Sequence, residues 1–301
     1  MNRIRPSACQ ICEKDDRVKV FIRLAELALA RCGRCGFVFM NGDRSSIPPS
    51  PTDHFDDDGY MQRLDIERIV AEQVESLHSI LRRAGVTLST WPQDMSVLDI
   101  GCARGHYLAR FRSVTGRAQL TGVDSVGAMT EWGRANLRLD LRASPIERIG
   151  LPPAHFGLIT AWDVLEHLAY PRQVLAKLMG LLRPGGWLVL EVPSEVTVFR
   201  TLAKLVYRLS GGRLDGAVRE LYHLSHLSYF TPDSLRTLLA SLGGRHVTMV
   251  TKESHVSRFG LRRFRPPARI VFRAVAGVDR LLGTQAKLLC AVQRPSTGSF
   301  R

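Results

Sequence analysis

Three groups of residues in this chain have types and spacings that could do chemistry. The first lies in AWDVLEHLAYP, where Asp163, Glu166 and His167 would stand at i, i+3 and i+4 and share a face if Asp163 begins a helical turn. Downstream, HLSHLSYFTPDSL supplies His223 and His226 just ahead of a helical pattern. An imidazole here, His167 or His226, could take the proton of a hydroxyl acceptor. The same carboxylates and imidazoles could hold a divalent ion that orients hydroxyl oxygens. On a third reading Glu166 and His167 only cap and hydrogen-bond their loop.

The second group is four cysteines. Cys9-x2-Cys12 and Cys32-x2-Cys35, with 19 residues between the pairs, have the spacing of two zinc knuckles. Four thiolates close the coordination sphere of Zn2+, so the role expected of that ion is structural. Cys102 and Cys290 fall in positions expected to be buried packing residues. The third group is SVLDIGCARGHYLARF, in which a β-run ending near Asp99 is followed by Gly101, Ala103 and Gly105 and then a helix. Small residues at alternate positions let the backbone turn tightly and approach a ligand, and the helix start points free N–H groups into the same space. The spacing is G-x-A-x-G and lacks the G-x-G-x-x-G that backs a pyrophosphate, which disfavours a dinucleotide. Asp124 ends the next β-run, 25 residues after Asp99, where a carboxylate can accept both hydrogen bonds of a ribose diol.

With these motifs in this order, the chain resembles the class I S-adenosylmethionine-dependent methyltransferases. VLDIGCARG is similar to their glycine loop, GVD to their ribose-binding acid, FGLITAWDVLEHL to their fourth strand and LLRPGGWLVLEVPS to their fifth. The resemblance covers about residues 65 to 294 and implies S-adenosylmethionine as cofactor. Asp99 and Gly101 would lie toward its methionine end, Asp124 at the ribose and Ala143 and Ser144 at the adenine rim, with Ala103, Gly105 and Trp162 also expected to bind it. Ala103 replaces the usual middle glycine, and Arg142 stands where many members have an acid. Asp163, Glu166, His167 and His226 resemble the acid-x-x-Glu-His plus later His arrangement of metal-dependent O-methyltransferases, which makes Mg2+ or Mn2+ an alternative to plain base catalysis. The N/D-P-P-Y/F motif of base-amino methylation is missing, so an oxygen acceptor is favoured: a small molecule, a sugar or a lipid-linked glycan. An RNA methyltransferase, or a non-catalytic module that binds cofactor and recruits a partner, are the alternatives. The N-terminal RCGRCGFVFMN before a proline-containing linker resembles bacterial zinc-ribbon methyltransferases.

These groups need a frame. Short β-rich runs (SVLDI, QLTGVD, RLDLRA, FGLITAW, GWLVLEV) alternate with helical patterns starting near Arg104, Gly127, Pro171 and Thr231. That alternation predicts an α/β fold, a doubly wound Rossmann-like methyltransferase sheet, closed by RHVTMVTKES and AKLLCAVQR and preceded by a small N-terminal zinc ribbon. The expected divisions are a ribbon over 1–41, a linker over 42–60 marked by Pro48, Pro49 and Pro51, and the methyltransferase domain over 61–301. One long helix is expected from Met61 to Ala84.

Charge is unevenly spread. Residues 1–195 hold 24 Lys+Arg against 23 Asp+Glu, and residues 196–301 hold 18 against 5, which gives +1 and +13 of the net +14. The surplus falls in amphipathic insertions near 196–214 and 256–283, where Arg200, Lys204 and Arg208 and then Arg269, Arg273 and Arg280 oppose apolar stripes. Such helices could lie on an anionic membrane, serve a core or form a lid. Nucleic acid is less favoured, because the positive charge is not interleaved with aromatic residues. No run reaches membrane-span length and no secretion signal is apparent. The expectation is therefore a cytoplasmic protein, peripheral on the inner membrane face if the basic helices meet lipid.

Overall fold

The computed structural model describes residues 8–14, 16–24, 28–41, 65–117, 119–223, 225–253 and 266–296. Between 266 and 272, only the side chain of Ile270 is described. The expected linker, and Arg262, Arg263 and the side chain of Arg269, lie outside that description.

A seven-stranded sheet forms the centre. Its strands are β4 (Val97–Ile100), β5 (Leu120–Asp124), β6 (Asp140–Ala143), β7 (Phe156–Trp162), β8 (Leu182–Pro193), β10 (Arg245–Lys252) and β11 (Lys287–Gln293). They lie in the order β10-β11-β8-β7-β4-β5-β6. Neighbours from β8 to β6 are parallel, while β11 is antiparallel to both β8 and β10. The expected closing pair is therefore present. Phe156 to Trp162 is buried at every position, as a strand covered on both faces must be, and this explains its unbroken apolar run.

Helices α1 (Ile66–Arg83), α2 (His106–Thr115), α3 (Gly127–Leu137), α4 (Pro171–Leu181) and α7 (Pro232–Ser241) fall where helical spacing predicts them. α1 begins at Ile66 because Asp65 caps it, its carboxylate accepting from Arg68 N at 3.2 Å. α7 starts with a capping box in which Thr231 and Ser234 satisfy each other's backbone N–H groups. The chain runs from β4 outward to β6 and then returns to β7. The crevice where strand order reverses therefore opens at the carboxyl ends of β4 and β7.

A second sheet holds the N-terminal residues: β1 (Val18–Arg23), β2 (Ala28–Cys32), β3 (Val38–Met40) and β9 (Ser228–Tyr229), in that order. β9 was not legible as a strand, since two residues carry no periodicity. Its pairing with β3 joins the cysteine-bearing strands to the segment that follows His226. The contact continues into the core, where the Phe37 ring lies 5.2 Å from that of Phe230. Phe37, Phe39 and Cys9 share one buried cluster with Ile159, Leu190 and Leu235 of the main sheet and α7.

The insertion after β8 departs from expectation. α5 (Val198–Leu209) and the short α6 (Gly216–Leu221) form there, but of the basic stripe of α5 only Arg208 faces solvent, while Arg200 and Lys204 turn toward the interior. Arg200 is buried and pairs with Glu195 at 2.9 Å, and Lys204 reaches the other oxygen of Glu195 at 2.8 Å. Arg200 also sits over the rings of Tyr222 and Tyr229, at 4.7 and 4.6 Å, and Tyr222 donates its hydroxyl to Glu195. The cause is Glu195 itself: a buried carboxylate must be paired, and the helix turns its cations inward to do so. Its leucines consequently face out. α8 (Pro266–Leu282) lies alongside, and its Asp279 accepts the first amide of α5, Val198 N, at 2.8 Å.

Because the cysteine-bearing sheet and the main sheet share one core, Phe37→Ala should destabilise the whole chain by about 3–5 kcal/mol. Calorimetry should show one transition at lower temperature, not a separate early loss of the N-terminal strands.

Candidate active site

The glycine loop leaves β4 on backbone that few side chains tolerate. Gly101, Ala103 and Gly105 all have positive φ, at 70°, 47° and 79°. A Cβ on Gly101 would come within 2.5 Å of Val164 Cγ2, so this loop and the turn after β7 touch. Asp124 binds the loop from the end of β5. One carboxylate oxygen accepts Ala103 N at 2.8 Å and the other Val126 N at 2.9 Å. Ser144 N, beyond Ala143 at the end of β6, donates to the Asp124 carbonyl at 2.8 Å. Asp124, Ala143 and Ser144 are thus brought to one rim. Arg142 turns to Asp140, 2.9 Å away.

Asp99 lies beneath the loop, buried, with Thr160 Oγ1 donating to it at 2.6 Å. Burial pushes its carboxyl up to about 8, the Thr160 bond opposes this, and the charge of Asp124 adds to it. Trp162, at the end of β7, meets Tyr107 edge-on at 5.3 Å. Tyr107 OH is buried beside Thr160 and Trp162. A loop of small residues held at positive φ, with a carboxylate at the end of the next strand, suits a nucleoside-bearing cofactor.

The turn after β7 is not the helical turn expected at Asp163. Asp163 adopts φ 56°, and a 3-10 turn, Leu165–His167, follows it. Asp163 forms an ion pair with the buried Lys287 of β11 and lies outside the cluster of ligand-type atoms, while its charge still acts on His167. Glu191 completes this group, pairing with Lys252 at 2.6 Å and lying 4.0 Å from Lys287. Of the four residues expected to act together, the structure groups three. Ligand-type atoms of Glu166, His167 and His226 all lie within 4.8 Å of one another. His167 donates Nδ1–H to Ser225 O at 2.9 Å, which makes its Nε2 the accepting nitrogen. Its ring meets that of His226 edge-on at 4.8 Å.

Burial drives the electrostatics of this trio. It pushes the Glu166 carboxyl up, with Asp163 adding to the shift and Lys287 opposing it, and it pushes both histidines down, His226 to about 2. Glu166 Oε2 and His226 Nδ1 have no partner among the described residues. At the far end of the chain of contacts, Cys9 and Cys35 sulfurs are 3.6 Å apart, as are those of Cys12 and Cys32, and all four lie within 4.8 Å. A tetrahedral Zn–S shell of about 2.3 Å radius has edges of about 3.8 Å, so these thiols fit it.

Lys287, Lys252, Glu191, Glu195 and Tyr222 escaped the sequence reading, and Arg200 figures in it only as part of a basic stripe. The available signal was a lone charge inside an apolar run, as in LVLEVP and AKLLCAV.

The family described as "Methyltransferase domain" matches residues 70–247, more than half of the chain. The chain belongs to this family. Its fold is that of the class I S-adenosylmethionine-dependent methyltransferases, and it superposes on a SAM-dependent methyltransferase from Archaeoglobus fulgidus with TM-score 0.52 at 18% identity. That match covers 79% of this chain and all of the other. Among curated proteins, the ubiquinone biosynthesis O-methyltransferase of Bordetella bronchiseptica is 33% identical over 97 residues, 30% of this chain and 39% of that protein. Its mitochondrial counterpart in Schizosaccharomyces pombe is 34% identical over 125 residues, 38% of this chain and 44% of that protein. The chain thus spans about two fifths of the length of these relatives.

The raised Asp99 carboxyl gives this methyltransferase-family chain a pH signature. A folded-state pKa above the ordinary 3.8 stabilises the protein fully at pH below that value, and the contribution is lost as pH rises through about 8. Asp99→Asn keeps the site neutral, so its unfolding midpoint in urea should fall less than that of the wild type between those limits. Parallel curves would remove the assignment.

Proposed function

We propose that the protein transfers a methyl group from S-adenosylmethionine to a hydroxyl oxygen of a small-molecule acceptor, sugars and lipid-linked glycans included. The observation that carries this is the convergence of Glu166, His167 and His226 on a turn in contact with the glycine loop. The relatives named as O-methyltransferases support the oxygen acceptor. Bound S-adenosylmethionine would supply an electrophilic sulfonium methyl. Asp124 would hold its ribose hydroxyls, Asp99, Gly101, Ala103 and Gly105 would border its methionine end, Ala143 and Ser144 would border its adenine and Trp162 would flank it.

The chain's task is then to orient the hydroxyl and remove its proton. His226 is held neutral too firmly to be a strong base, whereas Glu166, raised toward neutrality, is better matched to accept a proton near pH 7. His167, accepting through Nε2, and His226 orient the hydroxyl, and Glu166 takes its proton. Radiolabelled S-adenosylmethionine offered with catechols, nucleotide sugars, lipid-linked glycans and RNA tests the acceptor class. Glu166→Gln, His167→Ala and His226→Ala should each lower kcat about 10²–10⁴-fold while cofactor affinity holds. The wild-type rate should rise with pH as Glu166 ionises, and Glu166→Gln should flatten that rise. Full activity in all three variants would leave the residues only a structural role.

A second reading rests on the same trio. One carboxylate and two imidazoles within 4.8 Å could hold a divalent ion, and the nitrogen content suits Mn2+ better than Mg2+. Loss of activity in EDTA, restored by Mn2+ but not by Mg2+, would select it.

Cys9, Cys12, Cys32 and Cys35 are proposed to hold one structural Zn2+. Elemental analysis should return one zinc per chain, and chelation should lower the single melting transition. A metal-free protein with an unchanged melting temperature would count against the ion.

A further inference from the structure

α5 turns Arg200 and Lys204 inward, so its outer side is largely apolar, with Arg208 exposed at its end. Leu202, Leu205 and Leu209 are exposed at i, i+3 and i+7, with Leu209 at 79%. α8 repeats the pattern, exposing Ile270, Leu281 and Leu282, with Leu281 at 87%. The two helices touch, since Asp279 of α8 accepts the first amide of α5. Of the twelve large apolar residues exposed among the described residues, ten lie between Val196 and Leu282. Scattered apolar exposure is ordinary, but concentration on two adjoining helices marks an interaction surface.

Cations border it. Arg208, Arg213 and Arg273 are exposed, as is Arg280, which pairs with Glu253. This part of the chain carries the +13 surplus. Two copies bringing that charge together would repel, and a polyanion such as RNA would leave the leucines unsatisfied. An anionic bilayer satisfies both features, because leucines can enter the acyl boundary while arginines stay among the headgroups. No helix of the described residues is long and apolar enough to cross a membrane, so the contact would lie in the interface plane.

We infer that the outer faces of α5 and α8 dock the protein on an anionic lipid surface. The opposite side of α5 carries Arg200, wedged between Tyr222 and Tyr229, and Tyr229 OH donates to His223 O at 3.2 Å. One helix therefore holds the lipid-facing surface on one side and the loop of His223 and His226 on the other.

Co-sedimentation of the full chain at low salt tests this, with phosphatidylcholine vesicles alone or with about 30% phosphatidylglycerol. Binding is expected only to the anionic vesicles. Leu205→Ser/Leu209→Ser on α5 and Leu281→Ser/Leu282→Ser on α8 are made separately, so that either helix can report if the other variant fails to fold. Each folded pair should weaken binding at least about tenfold, as should Arg208→Gln/Arg273→Gln. Three results would overturn the inference: no binding to anionic vesicles, binding that the arginine changes weaken and the leucine changes do not, or a dimer in light scattering that the leucine changes disperse. The second would reassign the surface to polyanions, and the third to a second copy of the chain.

Discussion

A carboxylate cut off from water must be neutral or paired, and the arrangement around the carboxyl ends of the strands follows from that constraint. Asp99, Glu166, Glu191 and Glu195 are buried there, and Asp279 is buried at the start of α5. Burial raises the carboxyl of Asp99, which Thr160 holds, and burial with Asp163 nearby raises that of Glu166. Glu191 is paired with Lys252, and Glu195 takes Arg200, Lys204 and Tyr222 together. The two solutions divide the crevice. Acids left near neutrality line the region suited to proton transfer, and acids fully paired anchor the C-terminal strands and α5 to the sheet.

This division changes the meaning of the charge asymmetry. In the sequence, the +13 of residues 196–301 looks like a surface property. In the structure, Arg200, Lys204, Lys252 and Lys287 pair with Glu195, Glu191 and Asp163, all of which precede residue 196. Part of the surplus is thus internal counter-charge that sews the end of the chain to its middle. Hydrophobic periodicity located α5 correctly but could not orient it. Orientation was decided by a single buried carboxylate that lies just outside the helix.

The main sheet was legible because its strands are buried on both faces and read as apolar runs, and because caps such as Asp65 and Thr231 mark helix starts. The glycine loop was legible because positive φ restricts residue choice. The remainder depends on contacts remote in sequence. Nothing local in KLLCAVQ announces that Lys287 will pair with Asp163 across 124 positions. Likewise, β9 exists only because β3 supplies a partner, and two residues of extended chain leave no pattern to detect.

That short pairing also gives the N-terminal strands a place in the chemistry. β3 binds β9, β9 follows His226 by one residue, and Leu227 N donates to Glu166 O at 2.7 Å. The loop bearing His226 is therefore fixed on one side by the turn bearing Glu166 and His167 and on the other by a strand whose fold ends in the cysteine cluster. Histidines at ring separations of 4.8 Å, with an unpaired buried nitrogen, would tend to drift apart toward water unless both flanks were held. A small sheet that could not be stable alone gains its core from the larger domain and in return restrains the loop of His223 and His226. On this argument the cysteine cluster bears on the proposed acceptor site mechanically, through β3 and β9, and not by contact with Glu166, His167 or His226.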